Sequence, residues 1–144
     1  MTAKEYLSQL RLLDIKINQK IKEAEELKAL AFNAGALSAE GERVQTSLSG
    51  SSRQCDMIEK YVDLQTEIDS EIDSYADLKH KIINEIHQLS DPRYVEVLHR
   101  RYVDGKTFEQ IAVDMSYGYE WTCRLHGQAL LAFEKEVILS HIKS

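Results

Sequence analysis

Apolar residues recur along the start of the chain in alternating steps of four and three, the spacing of a heptad seam. The seam has one polar position, Lys20, and predicts an amphipathic helix from Thr2 to about Ala34. Its members are Tyr6, Leu10, Leu13, Ile17, Lys20, Ala24, Leu27 and Ala31, with Leu7, Leu12 and Ile21 widening the stripe.

A second seam of the same kind predicts another long helix, from about Gln54 to Leu89. Its members are Ile58, Tyr61, Gln65, Ile68, Ile72, Tyr75, Lys79, Ile82, Ile86 and Leu89. Residues 33–53 contain three glycines and a serine-rich run, which predicts a long loop. The two helices should therefore form an antiparallel, coiled-coil-like hairpin. Apolar residues outside the seams, such as Leu64, would be buried if two hairpins paired in a homodimer.

Three shorter helices should follow. Pro92 suits the first position of a helix, with Asp91 or Ser90 as its N-cap, and Gly105 suits the left-handed residue past its end. Thr107 with Gln110 has the spacing of a capping box, so a further helix should begin there. The inner positions of the three helices are Tyr94, Val95, Leu98 and Tyr102, then Ile111, Ala112 and Met115, then Thr122 and Leu125.

The break between the last two of these helices, at residues 116–118, predicts a helix-turn-helix. The expected fold is thus all-α, with a helical hairpin over residues 1–89 and a three-helix domain over residues 90–144. The hairpin would serve oligomerisation or partner binding, and the second domain would bind DNA.

Charge affects this prediction because DNA binding requires lysine and arginine to neutralise phosphates. The chain of 144 residues has a formal net charge of −6. Residues 54–91 hold ten acidic and three basic groups, whereas residues 92–144 hold seven of each. The C-terminal part is therefore neutral and compatible with DNA. No apolar run reaches the roughly 20 residues of a membrane span, and no signal-peptide core is present, so a cytoplasmic protein without membrane contact is expected.

The segment from Leu89 to Ala112 resembles region 4 of bacterial sigma factors. Together with Tyr117-Gly118-Tyr119 and the segment from Arg124 to Leu130, it is similar to phage late-gene transcriptional regulators of the ArpU and RinA type. Such proteins join a sigma-like C-terminal helix-turn-helix to an N-terminal helical region. The resemblance implies transcriptional control through double-stranded DNA, with RNA polymerase as a further partner.

The residues expected to contact DNA lie at the starts of the last two helices and on the outer side of the second: Lys106, Thr107, Gln110, Tyr119, Glu120, Cys123, Arg124 and Gln128. Arg124 is the one cation on the outer side of the last helix, and arginine can bind guanine O6 and N7. It can equally form an ion pair with Glu120 one turn earlier. Trp121 would either pack on the helix that begins at Pro92 or stack on the DNA backbone.

No motif of enzyme catalysis is present, so no enzymatic activity and no cofactor are expected. Cys123-x-x-His126 has a zinc-like spacing but lacks a second pair of ligands, so no metal is expected either. Two alternatives remain open. One is a helical protein-interaction module that binds RNA polymerase or another protein. The other is a DNA-packaging protein similar to small terminase subunits, although those place the helix-turn-helix before their oligomerising helices.

Overall fold

The computed structural model describes the backbone of residues 1–40 and 43–143, and the side chains of residues 1–32 and 52–141. Secondary structure in these residues is entirely helical, which confirms the all-α prediction. None of the helices described combines the length and the apolar character needed to cross a membrane.

Two long helices open the chain, α1 (Ala3–Glu40) and α2 (Arg43–Ile86). They leave no room for the loop predicted over residues 33–53, and that prediction is wrong apart from residues 41–42, which lie outside the described residues. For residues 34–40 the physical reason is helix propensity. Alanine, leucine and glutamate dominate residues 34–40, and an isolated glycine costs a helix only about 1 kcal/mol.

The shorter helices are α3 (Pro92–Leu98), α4 (Phe108–Met115), α5 (Tyr119–Phe133) and α6 (Leu139–Lys143). One π-helical turn, residues 99–103, extends α3, and another, residues 134–138, joins α5 to α6. The predicted start of α3 is confirmed, because the Asp91 side chain accepts a hydrogen bond from the backbone N–H of Arg93. Gly105 has the predicted left-handed conformation, with φ at 71°.

The chain divides into two compact units, and residues 15–74 form the second of them. Here α1 and α2 run antiparallel. Lys20 forms ion pairs with Glu71 and, at 2.6 Å, with Glu67. Further along, Gln54 Nε2 donates a hydrogen bond to the carbonyl oxygen of Ala31 at 3.1 Å. The one polar position in the first seam is therefore a lysine whose charge is paired with two glutamates of α2.

Two apolar side chains assigned to the seams are exposed instead. Leu12 is 53% exposed and Ile72 is 43% exposed. Leu12 lies two positions after the buried Leu10, which places it on the opposite side of the helix. Ile72 lies between the buried Ile68 and the half-buried Tyr75 of the same seam, so its exposure is local to that position. Their inclusion in the buried stripe was wrong.

The first unit comprises residues 1–14 and 75–144, so the predicted domain boundary after residue 89 lies inside it. Its core combines both ends of the hairpin with α3, α4, α5 and the turn after α5. The buried members are Ala3, Leu7, Leu10, Ile82, Ile86, Leu89, Val97, Leu98, Ile111, Leu125, Ala129, Phe133 and Val137. The shorter helices thus bury their apolar faces against α1 and α2 as well as against one another.

Candidate nucleic-acid interface

The connection between α4 and α5 is tightly defined by local hydrogen bonds. At the start of α4, Thr107 Oγ1 accepts from the N–H of Gln110 at 3.2 Å, and Gln110 Oε1 accepts from the N–H of Thr107 at 2.9 Å. This confirms the predicted capping box. At the end of α4, Ser116 adopts a left-handed conformation with φ at 59°. Three residues, 116–118, then lead into α5.

The turn follows the Schellman pattern of helix termination. The N–H of Tyr117 donates to the carbonyl of Ala112 at 2.9 Å, and the N–H of Ser116 donates to that of Val113 at 3.2 Å. Thr122 Oγ1 donates to the carbonyl of Gly118 at 2.9 Å, which ties the first turn of α5 to its N-cap. The direction of α5 is therefore set by hydrogen bonds within residues 112–122.

The inner face of α5 is the predicted one, since Thr122 and Leu125 are both fully buried. Helical periodicity places a different set of side chains on the opposite face. This outer face of α5 consists of Glu120, Arg124, Gly127 and Leu131, all exposed. It carries one cation, one anion, one large apolar side chain and a glycine.

Arg124 is exposed and makes no ion pair with Glu120 or with any other carboxylate among the described residues. The guanidinium therefore keeps its five donors available to a ligand. Gln128 turns to the flank of α5, where its Oε1 accepts a hydrogen bond from Tyr94 of α3 at 3.5 Å. Trp121, on that same flank, remains 38% exposed.

The three predicted phosphate contacts before and within α4 are already engaged by the protein. Thr107 and Gln110 use their side-chain oxygens in the capping box, which leaves the Gln110 amide nitrogen free of that motif. Lys106 Nζ lies 2.6 Å from Asp114, and Arg100 reaches the same carboxylate at 3.3 Å. The hydrogen bond from Lys106, together with both positive charges, holds the pKa of Asp114 below its ordinary value.

Tyr119 and Cys123 lie one turn apart on the other flank of α5. Tyr119 is 50% exposed, and the adjoining Cys123 thiol is the main cause that raises its pKa. Cys123 itself is half-buried and lines a cleft with the first turns of α1. Cys123 was predicted to lie on the outer face alongside Arg124, and this is corrected. Adjacent positions of a helix point about 100° apart, which places Cys123 on the flank.

Sequence reasoning missed a buried polar cluster in the first unit. Glu85 of α2 is only 4% exposed, and its carboxylate accepts a hydrogen bond from the Tyr6 hydroxyl and lies 2.7 Å from His141 Nε2. Burial, followed by the hydrogen bond to Glu85, raises the pKa of Tyr6. The sequence gives only a weak indication that Glu85 is buried: it stands three residues after Ile82 and four before Leu89, at the spacing of core positions.

Comparison with protein-family models, curated proteins and solved structures finds no match for this chain. The resemblance to sigma region 4 and to phage late-gene regulators therefore stays a prediction that rests on the quoted residues.

Proposed function

We propose that this chain is a DNA-binding transcriptional regulator of the phage late-gene type, which places the outer face of α5 in the major groove. The observation that carries the proposal is the unpaired, exposed Arg124 on a helix that only three residues separate from α4. A second helix that follows a short turn is the element that reads base edges in helix-turn-helix proteins. Arginine is the side chain best suited to bind guanine there.

Gly127 supports the same assignment. A Cβ added at this residue would meet nothing within 4 Å, so core packing does not explain a glycine in the middle of α5. Glycine in an exposed helix interior costs about 1 kcal/mol relative to alanine. A glycine here does allow another molecule, such as DNA, to approach the helix backbone closely.

The test is selection of binding sites from a random duplex library, followed by fluorescence anisotropy of the selected duplex and a scrambled one. Specific binding should weaken as salt rises. A plot of the logarithm of the binding constant against the logarithm of the salt concentration should have a slope of about −0.9 for each phosphate neutralised. Arg124→Ala should weaken binding to the selected duplex by about 1–3 kcal/mol and relax its sequence preference. Arg53→Ala, which removes another exposed arginine, serves as the matched control.

Equal affinity for selected and scrambled duplexes, unaffected by Arg124→Ala, would rule out sequence reading by α5. A second candidate function would then gain weight, that of a protein-interaction module with RNA polymerase as the partner. Exposed apolar side chains on α4 and α5 favour it, since Val113 of α4 is 79% exposed and Leu131 of α5 is 70% exposed. Leu131→Ser should then abolish co-purification of RNA polymerase with the chain, whereas Arg53→Ala should leave it unchanged.

A homodimer is part of the proposal, because two recognition helices would read two half-sites one helical turn apart or a multiple of it. Each unit has exposed apolar side chains that a second copy could cover, Leu12 in the first and Ile72 in the second. Light scattering should give twice the 16.6 kDa of one chain. A monomer mass at the concentrations used for DNA binding would contradict the dimer and leave the DNA proposal to the binding assay.

A further inference from the structure

A cleft of about 370 Å³ opens in the first unit, where the first turns of α1 meet the turn after α3 and one flank of α5. Its volume is within the range of small-molecule sites in proteins. Lys4, Ser8 and Arg11 line one side, and their spacing of four and three places them on one face of α1. Arg101 lines the cleft from the π-helical turn.

The rings of Tyr102, Phe108 and His126 form much of the remaining wall and contact one another. Tyr102 Oη and His126 Nε2 are 2.8 Å apart, and the two rings stack with centroids 5.6 Å apart. Phe108 meets the His126 ring edge-on at 4.8 Å. The Arg101 guanidinium lies 4.3 Å from the centroid of Phe108 and donates to the carbonyl oxygen of Lys106 at 3.0 Å. Arg101 is therefore positioned before any ligand arrives.

The charge in this cleft is of one sign. None of the residues that line it is a carboxylate, although the chain holds 24 acidic groups against 18 basic ones. Among the described residues, neither Lys4 nor Arg11 has a carboxylate oxygen within ion-pair distance. The pKa of His126 is lowered to about 4, by burial first and then by the charges of Arg101 and Lys4. Its imidazole is thus neutral near pH 7.

We propose that this cleft binds a phosphate group, with Lys4, Arg11 and Arg101 as the charged donors and the Ser8 hydroxyl as a neutral one. Guanidinium and ammonium groups form strong, charge-assisted hydrogen bonds to phosphate, and three of them without a counter-ion favour an anion. The phosphate has two possible sources with the same chemistry. One is the backbone of DNA beside α5, and the other is a free nucleotide, whose base can pack on the aromatic wall.

The experiment is a titration of the ¹⁵N-labelled full chain, followed by NMR, with inorganic phosphate, with AMP and with a short duplex of unselected sequence. The cleft variant carries Lys4→Gln and Arg11→Gln. The matched control carries Lys16→Gln and Lys22→Gln, which remove two exposed cations of the same helix outside the cleft. A second variant, Lys4→Arg with Arg11→Lys, keeps the charge, and thermal melting checks that all of them fold.

We expect amide shifts of Ser8 and Gly105 to change on titration, and affinity to fall by about tenfold or more in the cleft variant alone. Rescue by the charge-keeping variant would separate anion binding from a loss of folding. If the cleft variant loses affinity for phosphate or AMP, the ligand is a free nucleotide or phosphate. If it loses affinity for the duplex alone, the ligand is the DNA backbone. Either result supports the proposal.

Equal affinities in the cleft and control variants, or the absence of binding by every probe to the wild-type chain, would overturn it. The proposal does not depend on sequence reading by α5. Phosphate or AMP can bind in the cleft even if the chain prefers no DNA sequence, and Arg124→Ala should leave the affinity for both probes unchanged.

Discussion

Replacement of Gly127 by alanine should stabilise the folded chain. Gly127 lies near the middle of α5, and the added Cβ would meet no atom within 4 Å. No packing cost therefore offsets the gain in helix propensity, which is about 0.8–1.0 kcal/mol for glycine to alanine. The gain arises from a smaller loss of backbone freedom on folding. For a chain of this size, about 1 kcal/mol corresponds to a rise in melting temperature of about 3 °C.

The assay is urea unfolding followed by circular dichroism, with the midpoint and the slope fitted separately. A higher midpoint with an unchanged slope reports a change in stability alone. Gly118→Ala is the matched control, because its Cβ also meets nothing within 4 Å but the residue is the N-cap of α5. Alanine is a poorer N-cap than glycine, which should offset the entropic gain and leave the stability near that of the wild type.

An unchanged or lower midpoint in Gly127→Ala, at unchanged slope, would refute the reasoning, since it would mean that another group covers the outer face of α5. A second copy of the chain is one such group, and the midpoint would then depend on protein concentration. If Gly127→Ala raises the stability but weakens DNA binding, close approach of DNA to the α5 backbone explains both results. Unchanged DNA affinity would place the contact elsewhere on the helix.

Three further outcomes are expected. Ser116→Gly should stabilise the chain by about 1 kcal/mol in urea unfolding, because a left-handed residue at φ 59° carries a strain that glycine lacks. Tyr6→Phe should lower the free energy of unfolding by about 1–3 kcal/mol because it removes a donor to the buried Glu85. Tyr61→Phe, at a half-buried tyrosine that does not contact Glu85, should lower it less. The lowered pKa of His126 means that the unfolded chain binds a proton between about pH 6.5 and 4 that the folded chain does not. The free energy of unfolding should therefore decrease as the pH is lowered through that window, and it should decrease less steeply in His126→Gln.

Local chemistry made the helix boundaries of the C-terminal part predictable. The N-cap at Asp91, the left-handed Gly105 and the capping box at Thr107 each depend on residues within four positions of one another. Such signals are complete in the sequence and need no tertiary context. The burial of Thr122 and Leu125 followed from the same local periodicity once the start of α5 was known.

Features that depend on distant parts of the chain were not predictable. The cleft brings Lys4 and Arg11 beside Arg101, which lies ninety or more positions later in the sequence. Glu85 is buried between Tyr6 and His141 in the same way. A heptad pattern reports which face of a helix is apolar, but not which polar residues of another helix will stand opposite it.

The distribution of charge, more than its sum, decides whether an acidic chain can bind a phosphate. At physiological ionic strength, exposed charges farther apart than about 8 Å are largely screened. The net charge of −6 therefore matters less to a ligand than the groups that touch it. Lys106 forms an ion pair with Asp114 at 2.6 Å, whereas Lys4, Arg11 and Arg124 have no carboxylate partner among the described residues. Phosphate affinity in the cleft should accordingly depend on Lys4 and Arg11 and be insensitive to both Arg124→Ala and Lys106→Gln, although sequence position alone favoured Lys106.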